Sequence, residues 1–311
     1  MSRSEEPRVA GASWPPSASP LVPVRYWRAG RFDLALTEPL VMGIVNVTPD
    51  SFSDGGQHHG PKAAIAHARQ LVEEGAQILD IGGESTRPGA AAVSPQEEWR
   101  RIQPVLAELL SWGVPISVDT RRTEVMAQSL DLGADIINDV QALQAPGALA
   151  LLAQQGRAGV CLMHMRGEPD SMQAQTLYAD DVVKEVGQWL AQRVATVQAA
   201  GLAAERITVD PGIGFAKTPE QNLALLQRQH ELLAVHRPLL IGWSRKSTLG
   251  LITGRPAEQR VAASVAAAVL AAQAGASVLR VHDVAATVDA LRVWKAAASG
   301  GIPPTVGSRP G

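Results

Sequence analysis

The chain has one cysteine, Cys161, in 311 residues. A lone cysteine has no internal partner, so a disulfide scaffold is excluded and a reducing, cytoplasmic setting is expected. Aromatic residues are scarce: seven Trp, two Tyr and three Phe. That is too few for a platform that stacks many bases. Neither charge sign is in excess, and the formal net charge of -2 argues against nucleic acid or an anionic membrane as the main partner. The longest nearly apolar run, 261–276, is broken by Ser264 and Gln273 and reads as a packed helix rather than a membrane span. Residues 1–20 lack the apolar stretch of a signal peptide and read as a solvated tail; 300–311, rich in Gly and Pro, reads as a frayed end. No GxGxxG follows a predicted strand, and GxxxxGK[ST] does not occur.

What the sequence does have is a repeating alternation. Short apolar, β-rich runs lie at 40–45, 77–82, 115–119, 136–138, 159–163, 206–210, 238–242 and 277–282. Continuous apolar strands suit a parallel sheet buried on both faces. Ala/Leu-rich helical stretches separate them, for example 63–75, 96–112, 180–200 and 257–274, and Gly75, Gly113, Gly133, Gly201 and Gly275 stand where helices should end. Strand ends recur about every 34 residues, room for one strand and one helix, and eight such units match a (β/α)₈ barrel. A doubly wound open sheet is the alternative, but it does not call for eight units in an unbroken row. The expected fold is α/β, a single (β/α)₈ barrel over 21–299, with 21–39 forming a short β-hairpin extension at its bottom.

In such a barrel the active site lies at the C-terminal ends of the strands. The eight strand ends carry Asn46, Glu84, Asp119, Asn138, His164, Asp210, Lys246, and Arg280 with His282. Each has a plain structural reading. Asp119 and Asp139 can cap helices, Asp210-Pro-Gly can be a turn, His164 a core histidine and Lys217 a solvated charge. As a set they are harder to dismiss, because a rim holding Asp119, Asp210, Lys246, Arg280 and His282 is costly unless those groups meet a ligand or one another. Asp119, Asn138 and Asp210 suit a flat ligand with several N–H donors, and Lys246 suits its carbonyl or ring-nitrogen edge. Arg280, His282 and Asn46 form a polar, cationic corner suited to an oxyanion such as diphosphate, and Asn46 can contribute one oxygen to Mg²⁺.

These residues sit in recognisable motifs. NVTPDSFSDGG (46–56) and GGESTRPGA (82–90) resemble the two signature loops of the dihydropteroate synthase family. SVDT (117–120), INDV (137–140), MHMRG (163–167), DPGIGFAKT (210–218), SRKS (244–247) and RVHDV (280–284) follow in the family's order. Two positions depart from it: Ala216, where Gly is more common, and Trp243, where an aliphatic residue is usual. The resemblance implies a barrel enzyme of folate biosynthesis that joins 6-hydroxymethyl-7,8-dihydropterin diphosphate to p-aminobenzoate, with sulfonamides competing for the second site.

Carried over position by position, Asp119, Asn138, Asp210, Lys246, Met163 and Phe215 line the pterin pocket. Asn46, Arg280 and His282 hold diphosphate, with Mg²⁺ on Asn46. Thr86, Pro88, Phe52 and Ser247 shape the p-aminobenzoate site, and Asp54 and Arg87 help order the loops 47–60 and 83–94. The family is usually dimeric through outer helices, so a homodimer is expected. A methyltetrahydrofolate methyltransferase would share the pocket acids but gives no reason for NVTPDSFSDGG or STRPG. A catalytically silent pterin- or protein-binding relative has no evident use for intact Asn46, Thr86, Arg87, Lys246, Arg280 and His282.

Overall fold

A computed structural model describes residues 24–48, 56–85, 93–168 and 171–301, with the backbone alone at 56–59. Each of the eight apolar runs forms a strand: β3 (Leu40–Asn46), β4 (Ile78–Gly82), β5 (Ile116–Asp119), β6 (Ile136–Asp139), β7 (Gly159–Met163), β8 (Ile207–Asp210), β9 (Leu240–Ile241) and β10 (Val278–Val281). They are parallel and lie in the order β8-β7-β6-β5-β4-β3-β10-β9. A parallel bridge between Val209 and Leu239, with the Val209 N–H donating to the Pro238 carbonyl at 3.0 Å, closes the ring. Every strand therefore neighbours the next in sequence. An open doubly wound sheet reverses its order at a switch point, and this sheet does not.

The helices α1 (Gly56–Glu73), α2 (Pro95–Leu109), α3 (Thr123–Leu132), α4 (Ala148–Gln155), α5 (Val182–Ala199), α6 (Pro219–Gln227), α7 (Ser247–Thr253), α8 (Val261–Gln273) and α9 (Val284–Ser299) connect the strands or follow the last one. Their starts follow capping chemistry. Ser94 accepts from the Glu97 N–H, Asp181 from Lys184, and Thr218 forms a capping box with Gln221, with Pro95 and Pro219 in the first turns. The five glycines expected at helix ends all have φ between +72° and +116°.

Alternation along the strands sorts residues between two cores. One set of side chains points out against the helices, as with Val41, Val45, Leu79, Ile81, Val118 and Ile137. The other points into the barrel. Its lower part is Leu40, Met42, Ile78, Ile136, Cys161, Leu240 and Val278, sealed by Trp27. Trp27 comes from the expected hairpin, β1 (Tyr26–Ala29) paired antiparallel with β2 (Phe32–Ala35). Its Nε1–H donates to the Arg206 carbonyl at 2.9 Å. Arg31, at the hairpin turn, pairs with buried Asp135 at 2.9 Å. The hairpin plugs the N-terminal mouth of the barrel and leaves the C-terminal mouth for chemistry.

Two elements are shorter than their sequence patterns suggest. Of 238–242 only Leu240–Ile241 is regular strand, because Pro238 has no N–H for the ladder. The pattern at 257–274 divides into a 3₁₀ turn, Ala257–Gln259, and α8, which opens at Arg260. Residues 1–20 and 302–311 of the two expected tails lie outside the described residues.

Candidate active site

Above the apolar plug the same inward stripe turns polar. Ile78 is followed on that face by Asp80, Ile136 by Asn138, Thr208 by Asp210, and Val278 by Arg280 and His282. Arg280 reaches across the barrel to two carboxylates, donating from Nε to Asp80 Oδ2 at 2.6 Å and from Nη2 to Asp119 Oδ2 at 2.7 Å. Asp80 also accepts from Asn138 Nδ2 at 3.2 Å and has no solvent exposure. Burial pushes the Asp119 carboxyl up to about 7 despite the opposing pull of Arg280, and Asp80 adds to the rise. Asp119 caps no helix; the helix after it opens at Arg122. The expected cationic corner is thus partly neutralised from within.

Asp210 is buried, and burial raises its carboxyl against the bond it accepts from the Gly212 N–H at 2.7 Å. The loop after it is built around Lys217, which is buried rather than solvated. Lys217 Nζ lies 3.1 Å from His164 Nδ1 and donates to the carbonyls of His164, Gly212 and Phe215 at 3.3, 3.0 and 2.9 Å. Burial draws Lys217 down to about 7. Burial and the adjacent ammonium hold His164 well below its usual range, so it is the core histidine of the plain reading. Gly212, at φ +71°, is needed here because a Cβ would sit 2.0 Å from the His164 carbonyl oxygen. The tethered loop presents Phe215, whose ring centroid lies 4.2 Å from Lys246 Nζ.

Met163, in register with Asp210, joins Val140, Met165, Met172 and Ala216 in a small apolar wall with Phe215. Ala216 adopts φ +51°, a left-handed conformation that the commoner Gly would take without strain. Trp243 is buried in the outer core between barrel and helices. Arg245, at φ +59°, turns the chain before Lys246 and pairs with Asp283 at 2.6 Å. Ser244 Oγ lies 2.9 Å from His282 Nδ1 and accepts from the His282 backbone N–H at 3.1 Å. Asn46 ends β3 beside Gly82.

The structure therefore brings Asp119, Asn138, Asp210, Lys246, Met163, Phe215, Arg280, His282 and Asn46 to one mouth of the barrel, with Ser247 opening α7 at the same rim. Phe52, Asp54, Thr86, Arg87 and Pro88 lie outside the described residues. Asp139 has a structural task, accepting from the Gln141 and Leu143 N–H groups at 2.7 Å each. A cavity of about 560 Å³ on the β5–β7 side, lined in part by Arg121, Gln141, Met165 and Glu168, lies beside this ring and includes none of its members.

Two residues of the site, Asp80 and Glu98, escaped the sequence reading, which gave Glu84 only as a strand-end group. Asp80 is a single acid inside an apolar strand, and that placement was its signal. Glu84 pairs with Arg121 at 3.0 Å and Arg122 at 3.2 Å and accepts from the Val93 N–H, tying together the two ends of the second signature loop. Glu98 is fully buried behind it, and burial raises it to about 7 against the opposing influence of the Thr120 hydroxyl. Its signal was helical spacing with Ile102, Val105 and Leu109 on the inner face of α2.

Comparison with known proteins agrees with this geometry. The family model for pterin binding enzymes matches residues 42–282. The dihydropteroate synthase of Neisseria meningitidis serogroup B is 56% identical over 276 residues, covering 87% of this chain and 96% of that one. Among solved structures, the Xanthomonas albilineans dihydropteroate synthase with 4-aminobenzoic acid aligns with a TM-score of 0.82 at 52% identity, covering 88% of this chain and 99% of that one. The Burkholderia cenocepacia dihydropteroate synthase complexed with 7,8-dihydropteroate aligns at 0.81 and 44% identity, covering 88% and 97%. With the motif order, the closed barrel and the ring of acids at its mouth, these matches show that the chain belongs to the dihydropteroate synthase family of pterin-binding enzymes.

Proposed function

We propose that the enzyme condenses 6-hydroxymethyl-7,8-dihydropterin diphosphate with p-aminobenzoate, giving 7,8-dihydropteroate and diphosphate for folate biosynthesis. The observation that carries this reading is the juxtaposition, in one barrel mouth, of Asp119, Asn138, Asp210 and Lys246 with Arg280 and His282. Carboxylates aimed inward suit the N–H donors of a pterin edge. Lys246, held over Phe215, suits its carbonyl and ring nitrogen, and Arg280 on β10 with His282 just past its end suits the diphosphate.

The proposed reaction is SN1-like. The C–O bond to diphosphate breaks with its electron pair on oxygen, and the electron-rich dihydropterin delocalises the positive charge left on its methylene. The amine nitrogen then forms the new C–N bond and loses a proton. No protein nucleophile takes part; the residues orient the pterin, stabilise the departing anion and exclude water. Mg²⁺ fits the donor set only in a restricted sense. Asn46 offers one neutral amide oxygen at the half-buried end of β3, and among the described residues no cluster of three His, Cys, Asp or Glu is placed to hold a metal alone. A hard cation that keeps water and phosphate as its other ligands suits such a site. Bound there, it would neutralise charge on the departing diphosphate. Thr86, Pro88, Phe52 and Ser247 form the p-aminobenzoate site in this reading, with Asp54 and Arg87 ordering the loops above it.

The test is calorimetry on Arg280→Ala. Affinity for the pterin diphosphate falls about tenfold more than affinity for the unphosphorylated pterin, the difference expected of one lost charge-assisted contact. Equal losses would contradict a diphosphate role, and comparing two ligands on one variant cancels any change in the fold. Labelled p-aminobenzoate should bind only once diphosphate and pterin occupy their sites; tight binding to the free protein would contradict ordered closure.

We further propose a homodimer and a cytoplasmic setting. Leu251 and Ile252 on α7, Leu270 on α8 and Val293 on α9 are exposed apolar side chains, which suits a self-complementary contact between outer helices. Cys161 is buried and unpaired, as suits a reducing compartment.

A further inference from the structure

We propose that Asp80 is a positioning residue that sets both halves of the pocket, fixing the Arg280 guanidinium from behind and the Asn138 amide from the side. The proposal rests on the reaction proposed above. Asp80 is on β4, two strands from Arg280 on β10, with β3 between them, and one ring step short of Asp119 on β5. Its side chain is fully buried beneath the ring, and among the described residues its hydrogen bonds go to these two partners.

Each partner is constrained in a specific way. A guanidinium presents its N–H groups in a planar fork. Asp80 takes the Nε edge at 2.6 Å and Asp119 takes Nη2 at 2.7 Å, which fixes the plane and leaves Nη1 as the remaining corner of the fork. Asn138 can face a partner with either end of its amide. An ionised carboxylate only accepts, so Asp80 at 3.2 Å draws Nδ2 toward itself and turns the acceptor oxygen away. That orientation matches Asn138 to Asp119 and Asp210, making the ring a set of acceptors for a ligand edge rich in N–H donors. Both bonds fall on Asp80 Oδ2, while Oδ1 is buried with no partner among the described residues. Keeping a half-satisfied buried carboxylate is costly unless its charge serves those two contacts.

Charge supplies a second consequence. The groups acting on Asp119 are Arg280 from β10, Asp80 from β4, Glu98 from α2 and Asp139 from β6. Neutralising Asp80 leaves Arg280 to Asp119 and removes one negative neighbour, so Asp119 ionises more readily.

The experiment compares wild type with Asp80→Asn, which preserves size and removes the charge. Turnover with pterin diphosphate falls about 30-fold while KM for p-aminobenzoate changes by less than about twofold, because Asn138 faces the pterin and Arg280 its diphosphate, not the amine. The acid limb of the activity profile moves down by about one pH unit, as one lost neighbouring charge implies. A wholly structural role would lower the amount of folded enzyme without moving that limb. Wild-type turnover and an unmoved limb in folded Asp80→Asn would overturn the role of Asp80 alone. A wild type that forms no product would overturn the reaction and this role with it. Should the variant fail to fold, the wild type still decides: ¹⁵N-arginine NMR should show the Arg280 Nε–H shifted downfield and protected from solvent exchange. A rapidly exchanging signal would overturn the proposal.

Discussion

The lower and upper halves of the barrel interior are built on the same strands and the same inward stripe, yet they obey opposite rules. The lower half is Met42, Ile78, Ile136, Cys161, Leu240 and Val278 under the Trp27 plug, and it is held by burial. Two residues further along, the stripe becomes Asp80, Asp119, Asn138, Asp210 and Arg280, held by ion pairs and hydrogen bonds among groups that would be unfavourable singly. The division teaches where stability and function reside. Conformational uniqueness comes from the apolar half, which frees the polar half to keep imperfectly satisfied charges aimed at a ligand.

The sharpest way to break this comparison is to change one residue in each half. Lys246→Ala removes a group from the mouth without opening the core. Turnover should fall about 10³-fold while the melting temperature stays close to that of wild type, as for other preorganised electrostatic groups. Near-normal condensation would remove Lys246 from the site. Trp27→Ala does the reverse. It should cost about 3–5 kcal/mol of stability in denaturant titration and leave kcat of the folded protein within about twofold, because the hole opens at the far end. A large drop in kcat at full folding would show that the halves are coupled.

A third change sharpens the boundary. Glu98 is raised to about 7 by burial, against an ordinary value near 4.3. A raised carboxyl stabilises the fold at low pH, and that contribution is lost as pH rises through about 7. Glu98→Gln should therefore match wild type near pH 4 and exceed it by about 1–3 kcal/mol at pH 8. A constant difference across this range would mean that Glu98 ionises normally. The smallest effect is expected at Ala216. Replacing it by Gly relieves a left-handed backbone and should shift stability by less than about 1 kcal/mol in favour of Gly, measured by thermal unfolding.

How much of this was legible in the sequence depends on whether the signal was local. The strands at 40–45, 77–82 and 159–163 could be placed within a residue or so because continuous apolar runs between helical stretches have one cheap use. The rim groups Asp119, Asp210, Lys246 and Arg280 could be read from their position at strand ends. Asp80 could not, because its meaning depends on Arg280, 200 positions away in sequence. The Lys217 cage was hidden for another reason: its acceptors are mostly backbone carbonyls, which every residue has, and only the folded loop gathers them. Glu97 and Glu98 look alike side by side, but helical rotation puts one beside Arg100 and Arg101 and the other in the core.

The central claim is that the polar half of this barrel joins a pterin diphosphate to p-aminobenzoate. Purified enzyme, given both substrates and Mg²⁺, should release diphosphate in step with 7,8-dihydropteroate, followed by a coupled diphosphate assay and by mass spectrometry. Omitting p-aminobenzoate should abolish the pteroate product. Pterin diphosphate binding with no dihydropteroate formed under any supply of p-aminobenzoate would contradict the account.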